Sequence, residues 1–156
     1  MSRPDDLIDE EEAHHHFAAA AFNAVWDLLD VGERSAEDDD LLIDTAFASR
    51  WHWRHRADAE PRNFAISAWQ LARVHAVTGR NERALEFGRE SLDICEREDL
   101  SPFYVAYAHE AIARAAHGIG DEDLMAEHLR LGREAAADVE DAEHRQPLED
   151  DLATIG

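Results

Sequence analysis

The chain has 156 residues, with 36 Asp and Glu against 15 basic side chains, for a formal net charge of −21 at pH 7. Its single Cys, Cys95, excludes an intramolecular disulfide. No apolar run reaches the roughly 18 residues of a membrane span, and no basic-then-apolar leader opens the chain, so a cytoplasmic location without membrane contact is expected. The acidity also argues against duplex nucleic acid as a partner, since no basic stripe with interleaved aromatics occurs outside residues 50–56.

Apolar residues recur at helical spacing through the chain, and no alternating β-branched run bounded by turns is present. An all-α fold in one domain, 1–156, is therefore expected, and this length can bury a core without disulfides or a structural metal. A first helix is expected over about 5–30, with acids in its early turns, where the helix dipole favours them. Gly32 ends it and Ser35 caps the next, with Asp38 three residues on in a capping-box arrangement.

The second helix is expected to run to about Arg56, and Pro61 interrupts and restarts the pattern. A third helix stops at Thr78-Gly79, and Asn81 is expected to cap a fourth that reaches Arg97. Ser101-Pro102 opens a fifth, ending near His117, and Gly118 to Asp121 turns into a sixth that ends near Glu140. Residues 141–156 read as a weakly helical or frayed tail. The result is six helices in three antiparallel hairpins, about 5–56, 62–97 and 102–140.

The chain also repeats itself. Leu71-Ala72-Arg73 with Gly79 matches Ile112-Ala113-Arg114 with Gly120 at an offset of 41 residues, and Phe87-Gly88-Arg89-Glu90 matches Leu131-Gly132-Arg133-Glu134 at 44. The segment LARVHAVTGRNERALEFGRESL, residues 71–92, resembles the tetratricopeptide repeat, with Leu71, Ala72, Gly79 and Ala84 at the positions that pattern needs. The resemblance covers residues 62 to about 137 and implies an α-solenoid, although a period of 41 to 44 is longer than the usual 34. Ser49 to Trp53, upstream of such a repeat, is similar to a segment of some small prokaryotic repeat proteins and carries no activity with it. All 15 basic residues are Arg and no Lys occurs, so the Asp-rich surface resembles that of proteins from salt-accumulating halophiles.

The repeat resemblance implies a concave groove lined by Trp69 and Arg73 in one unit and by Glu110 and Arg114 in the next. Each pair is four residues apart and shares a helix face. First helices about 10 Å apart would bring both Arg to one ligand, and the planar Arg fork suits a carboxylate or phosphate. The same residues also fit a structural role, with Glu110 pairing the two Arg and Trp69 filling core.

The stretch Arg50 to Arg56, RWHWRHR, holds two Trp, two His and three Arg. Its cations complement a helix C-terminus, while His52 and Trp53 continue the inward stripe of Leu42, Ala46 and Ser49. His52 and Trp53 are also candidates for the groove mouth. His52 and His55, at i and i+3, are weak candidates for metal, since no third ligand is marked. His14 is expected inside and His16 outside.

No nucleophile motif, phosphate loop or singled-out carboxylate pair points to catalysis, and no cofactor is expected. The expected function is binding of a peptide segment or a small anionic ligand in a groove built from the second, third and fifth helices, with His52, Trp53, Trp69, Arg73, Glu110 and Arg114 as the site. A His52-centred metal-dependent or His-based enzyme is one alternative, and a homodimer through an exposed apolar helix face is another.

Overall fold

A computed structural model describes residues 9–156. They are all-α, with seven helices and no strand among the described residues: α1 (Glu10–Leu29), α2 (Ala36–His55), α3 (Pro61–Val77), α4 (Asn81–Arg97), α5 (Pro102–Ile119), α6 (Glu122–Ala137) and α7 (Ala142–Ala153). The chain divides into two compact units, one ending at Ala59 and the other spanning Glu60–Gly156.

In the first unit α1 packs on α2. Asp9 caps α1 by accepting from the Glu12 amide at 3.0 Å, and residues 5–8 of the expected first helix lie outside the described residues. The Ser35–Asp38 capping box is present in both directions, at 3.1 and 2.8 Å. The Ser35 amide first, then the Ser35 hydroxyl at 2.9 Å, donate to the Asp38 carboxyl and hold it below its ordinary value. Ala18, Val25, Leu42 and Ala46 are fully buried between the helices. Ser49 lets them approach, its hydroxyl donating to the Ala18 carbonyl at 2.8 Å.

The second unit is built from the repeated segments. The face of α4 shows how the sequence produces the packing: Ala84, Phe87, Gly88, Ser91, Ile94 and Cys95 fall at i, i+3, i+4, i+7 spacing, and all are buried. Both α3 and α5 end at a glycine, Gly79 at φ 77° and Gly120 at φ 79°, conformations that cost glycine little. At each end the next amide reaches back five residues, Arg80 to the His75 carbonyl at 2.8 Å and Asp121 to that of Ala116 at 2.9 Å.

Two details differ from expectation. Asn81 is the first helical residue of α4; the cap position belongs to Arg80, which makes no side-chain cap bond. The sixth helix ends at Ala137, and residues 142–153 form a seventh helix where a frayed tail was expected. Leu148, Leu152 and Ile155 from this segment are buried with Leu129, Ala136 and Val139, an anchoring that outweighs the ladder bond Pro147 removes from the helix interior.

Leu152-Ala153-Thr154 repeats Ile112-Ala113-Arg114 at an offset of 40 residues, and Leu71, Ile112 and Leu152 are all buried. The close-approach glycines repeat as well. A Cβ on Gly88 would meet Ile112 Cγ1 at 3.0 Å, and one on Gly132 would meet Leu152 Cδ2 at 3.1 Å. Thus α7 stands to α6 as α5 stands to α4.

Candidate functional site

The second unit brings Trp69, Arg73, Glu110 and Arg114 together. Glu110 on α5 is only 1% exposed and accepts from Arg114 Nε at 2.6 Å and from Trp69 Nε1 at 3.2 Å. Arg73 on α3 lies 3.6 Å from the same carboxylate. Register explains the cluster: Arg114 is one turn beyond Glu110 on α5, and Trp69 and Arg73 are one turn apart on the adjacent α3.

Both Arg side chains already have partners on α7. Arg73 Nη2 donates to the Asp151 carboxylate at 3.1 Å. Arg114 Nη2 donates to the Asp151 carbonyl at 3.1 Å and to the Thr154 hydroxyl at 2.8 Å. Two guanidinium ions thus face two carboxylates, and α7 supplies one of them. The sequence reading missed Asp151 and Thr154 because it left α7 out of the repeat; Thr154 occupies the register position of Arg114.

Beside this charged row runs an aromatic one. Trp69 meets Tyr107 edge-on at 4.8 Å between centroids, Tyr107 meets Phe103 at 5.1 Å, and Phe103 meets His144 of α7 at 5.6 Å. All but the exposed His144 are half-buried. Burial first, then the Asp151 and Glu110 charges, push the Tyr107 phenol up to about 12, so it stays protonated and able to donate.

His52 and Trp53 belong to the first unit. His52 Nδ1 lies 2.9 Å from Nδ1 of His14, which is buried, and its ring is 5.5 Å from that of Phe17. Burial chiefly, then His14 and His55, hold the His52 imidazole below its ordinary value. Trp53 lies under the Arg56 guanidinium, 4.2 Å from the ring centroid, and Arg56 is held in turn by Asp58. His55 bonds to the Trp51 carbonyl at 2.7 Å. No group of three or more His, Cys, Asp or Glu able to hold a metal occurs among the described residues, so His52 and His55 find no third ligand there. His16, Phe17 and Trp51 are exposed.

No helix among the described residues is long and apolar enough to cross a membrane. No family model, curated protein or solved structure matches the chain.

Proposed function

We propose that the second unit is a binding module resembling a tetratricopeptide-repeat array, and that its ligand is a carboxylate-bearing peptide segment. Under this reading α3, α5 and α7 are successive first helices lining one concave face, α4 and α6 are the second helices behind them, and the small anionic ligand of the sequence reading is the minimal version of the same chemistry. The observation that carries it is the set of groups around the two Arg: a carboxylate on Arg73, and a backbone carbonyl and a hydroxyl on Arg114. These are the groups an acidic peptide presents, and a planar Arg fork binds them with defined geometry.

Glu110 fixes the guanidinium planes from below, and the Trp69–Tyr107–Phe103 row supplies apolar area beside them. An incoming carboxylate would take the place of Asp151 on Arg73. That competition keeps affinity modest, because each bond to the ligand replaces one already made.

Anisotropy of a fluorescein-labelled Asp- and Glu-rich peptide, measured in about 1 M salt so that the acidic surface is screened, tests the reading. Asp151→Asn should bind more tightly than the wild type, and the folded Arg73→Ala, Arg114→Ala double variant should lose about tenfold or more, since one charge-assisted bond accounts for about 1.5–3 kcal/mol. Equal affinity in all three proteins would remove the proposal.

A further inference from the structure

Two helix pairs are closed by the same unusual contact. His14 of α1 and His52 of α2 approach Nδ1 to Nδ1 at 2.9 Å, and so do His109 of α5 and His128 of α6. Each contact needs one imidazole that carries its proton on Nδ1 and one that presents a bare Nδ1 lone pair. A first proton can settle on the free Nε2 of the donor ring and leave the contact intact; a second turns the acceptor into another donor, and the N–H groups of two like-charged rings then face each other at hydrogen-bond distance.

His14 and His109 are buried, at 6% and 8% exposure, so water cannot readily take over the lost bond. We propose that these two contacts form an acid-sensitive latch, in which proton uptake loosens α1 from α2 and α5 from α6.

Charges of both signs stand beside the pairs. At His14 and His52 the titratable neighbours are His55 of α2, whose ring stacks on His14 at 5.0 Å, and Glu10 of α1, 3.8 Å from His14 Nε2. The rings of Phe17 and Trp51 also lie against the pair. At His109 and His128, α6 contributes Glu127 and α4 contributes Arg89, with opposite effects on His128. The charged groups that reach α5 from α3 and α7, Arg73 and Asp151, are engaged with Glu110 and Arg114. Among the described residues no carboxylate stands against the His109 ring to offset its burial.

Burial first, then His128, hold the His109 imidazole down to about 4, and burial also lowers His128 and His52. The folded chain thus binds fewer protons at these rings than the unfolded chain does. Stability from the latch is complete above the ordinary His value of about 6.5 and is lost as pH falls from there toward 4. At pH 5.5 His109 alone would raise the unfolding equilibrium constant by about tenfold over its value at pH 8. This window lies above the titration of most of the 36 carboxylates, whose protonation would act in the opposite sense by relieving the −21 charge.

Imidazole NMR titration of the full chain, paired with urea unfolding at pH 8 and pH 5.5 in constant salt, tests the latch. His109 should remain neutral well below pH 6.5, and His52 should titrate below its ordinary value, while the unfolding constant rises about tenfold or more. His128→Asn with His52→Asn, in which an amide bonds the remaining ring without titrating, should weaken that rise and shift His109 toward its ordinary value. Ordinary titration near pH 6.5 in the wild type, or a pH-independent unfolding constant, would overturn the proposal. The wild-type titration decides even where the double variant fails to fold.

Discussion

At the scale of the residue, spacing between helices is decided by the smallest side chains. A Cβ on Gly88 would stand 3.0 Å from Ile112 Cγ1 and 3.2 Å from the Ile112 backbone nitrogen, and that nitrogen cannot rotate away. Alanine gains about 1 kcal/mol over glycine in a helix interior, but overpacking a close contact costs about 1–3 kcal/mol. Gly88→Ala is therefore expected to lose up to about 2 kcal/mol in urea unfolding, while Gly32→Ala, with nothing within 4 Å, should be neutral or gain up to about 1 kcal/mol. Equal effects at the two sites would show that the α4–α5 approach is looser than described. The grouping of Trp69 with Arg73 and of Glu110 with Arg114 was legible in the sequence, because a four-residue spacing on a helix needs no tertiary information. The Asp151 partner was not legible, because nothing local in residues 145–153 announces that a carboxylate there reaches α3.

At the scale of the element, six of the seven helices follow from hydrophobic period, prolines and glycine stops, since each of those signals is local. The seventh escaped because Pro147 and a run of acids weaken its periodicity, and its helix is held by tertiary burial rather than by propensity. Its signal was the short echo Leu152-Ala153-Thr154, visible only when the repeat is extended past Glu140. Leu148, Leu152 and Ile155 each bury a full aliphatic side chain, and together they contribute about 5–9 kcal/mol as an upper bound, on the scale of a whole domain's net stability. Leu152→Ala should accordingly cost about 2–5 kcal/mol by chemical denaturation. A cost below about 1 kcal/mol would mean that α7 is not packed as described.

At the scale of the whole molecule, a charge of −21 repels itself, while the half-buried row Arg73–Glu110–Arg114–Asp151 is internally balanced. Salt shortens the Debye length from about 10 Å at 0.1 M to about 3 Å at 1 M, which removes surface repulsion and weakens the close, half-buried row less. The melting temperature is expected to rise with salt over that range, and a fall would show that surface attractions outweigh the repulsion. The half-repeat at the C-terminus bears on a different matter. Gly88 seats α5 and Gly132 seats α7 by the same contact, so any helix pair of this kind presents a bed for one more helix, and a bare bed invites another molecule in a head-to-tail contact that never closes. The outer side of α7 carries Glu143, Gln146, Glu149 and Asp150, all exposed. With its inner side already taken by Gly132, α7 turns buried leucines inward and polar side chains outward, so it offers charge where α4 and α6 offer a glycine bed.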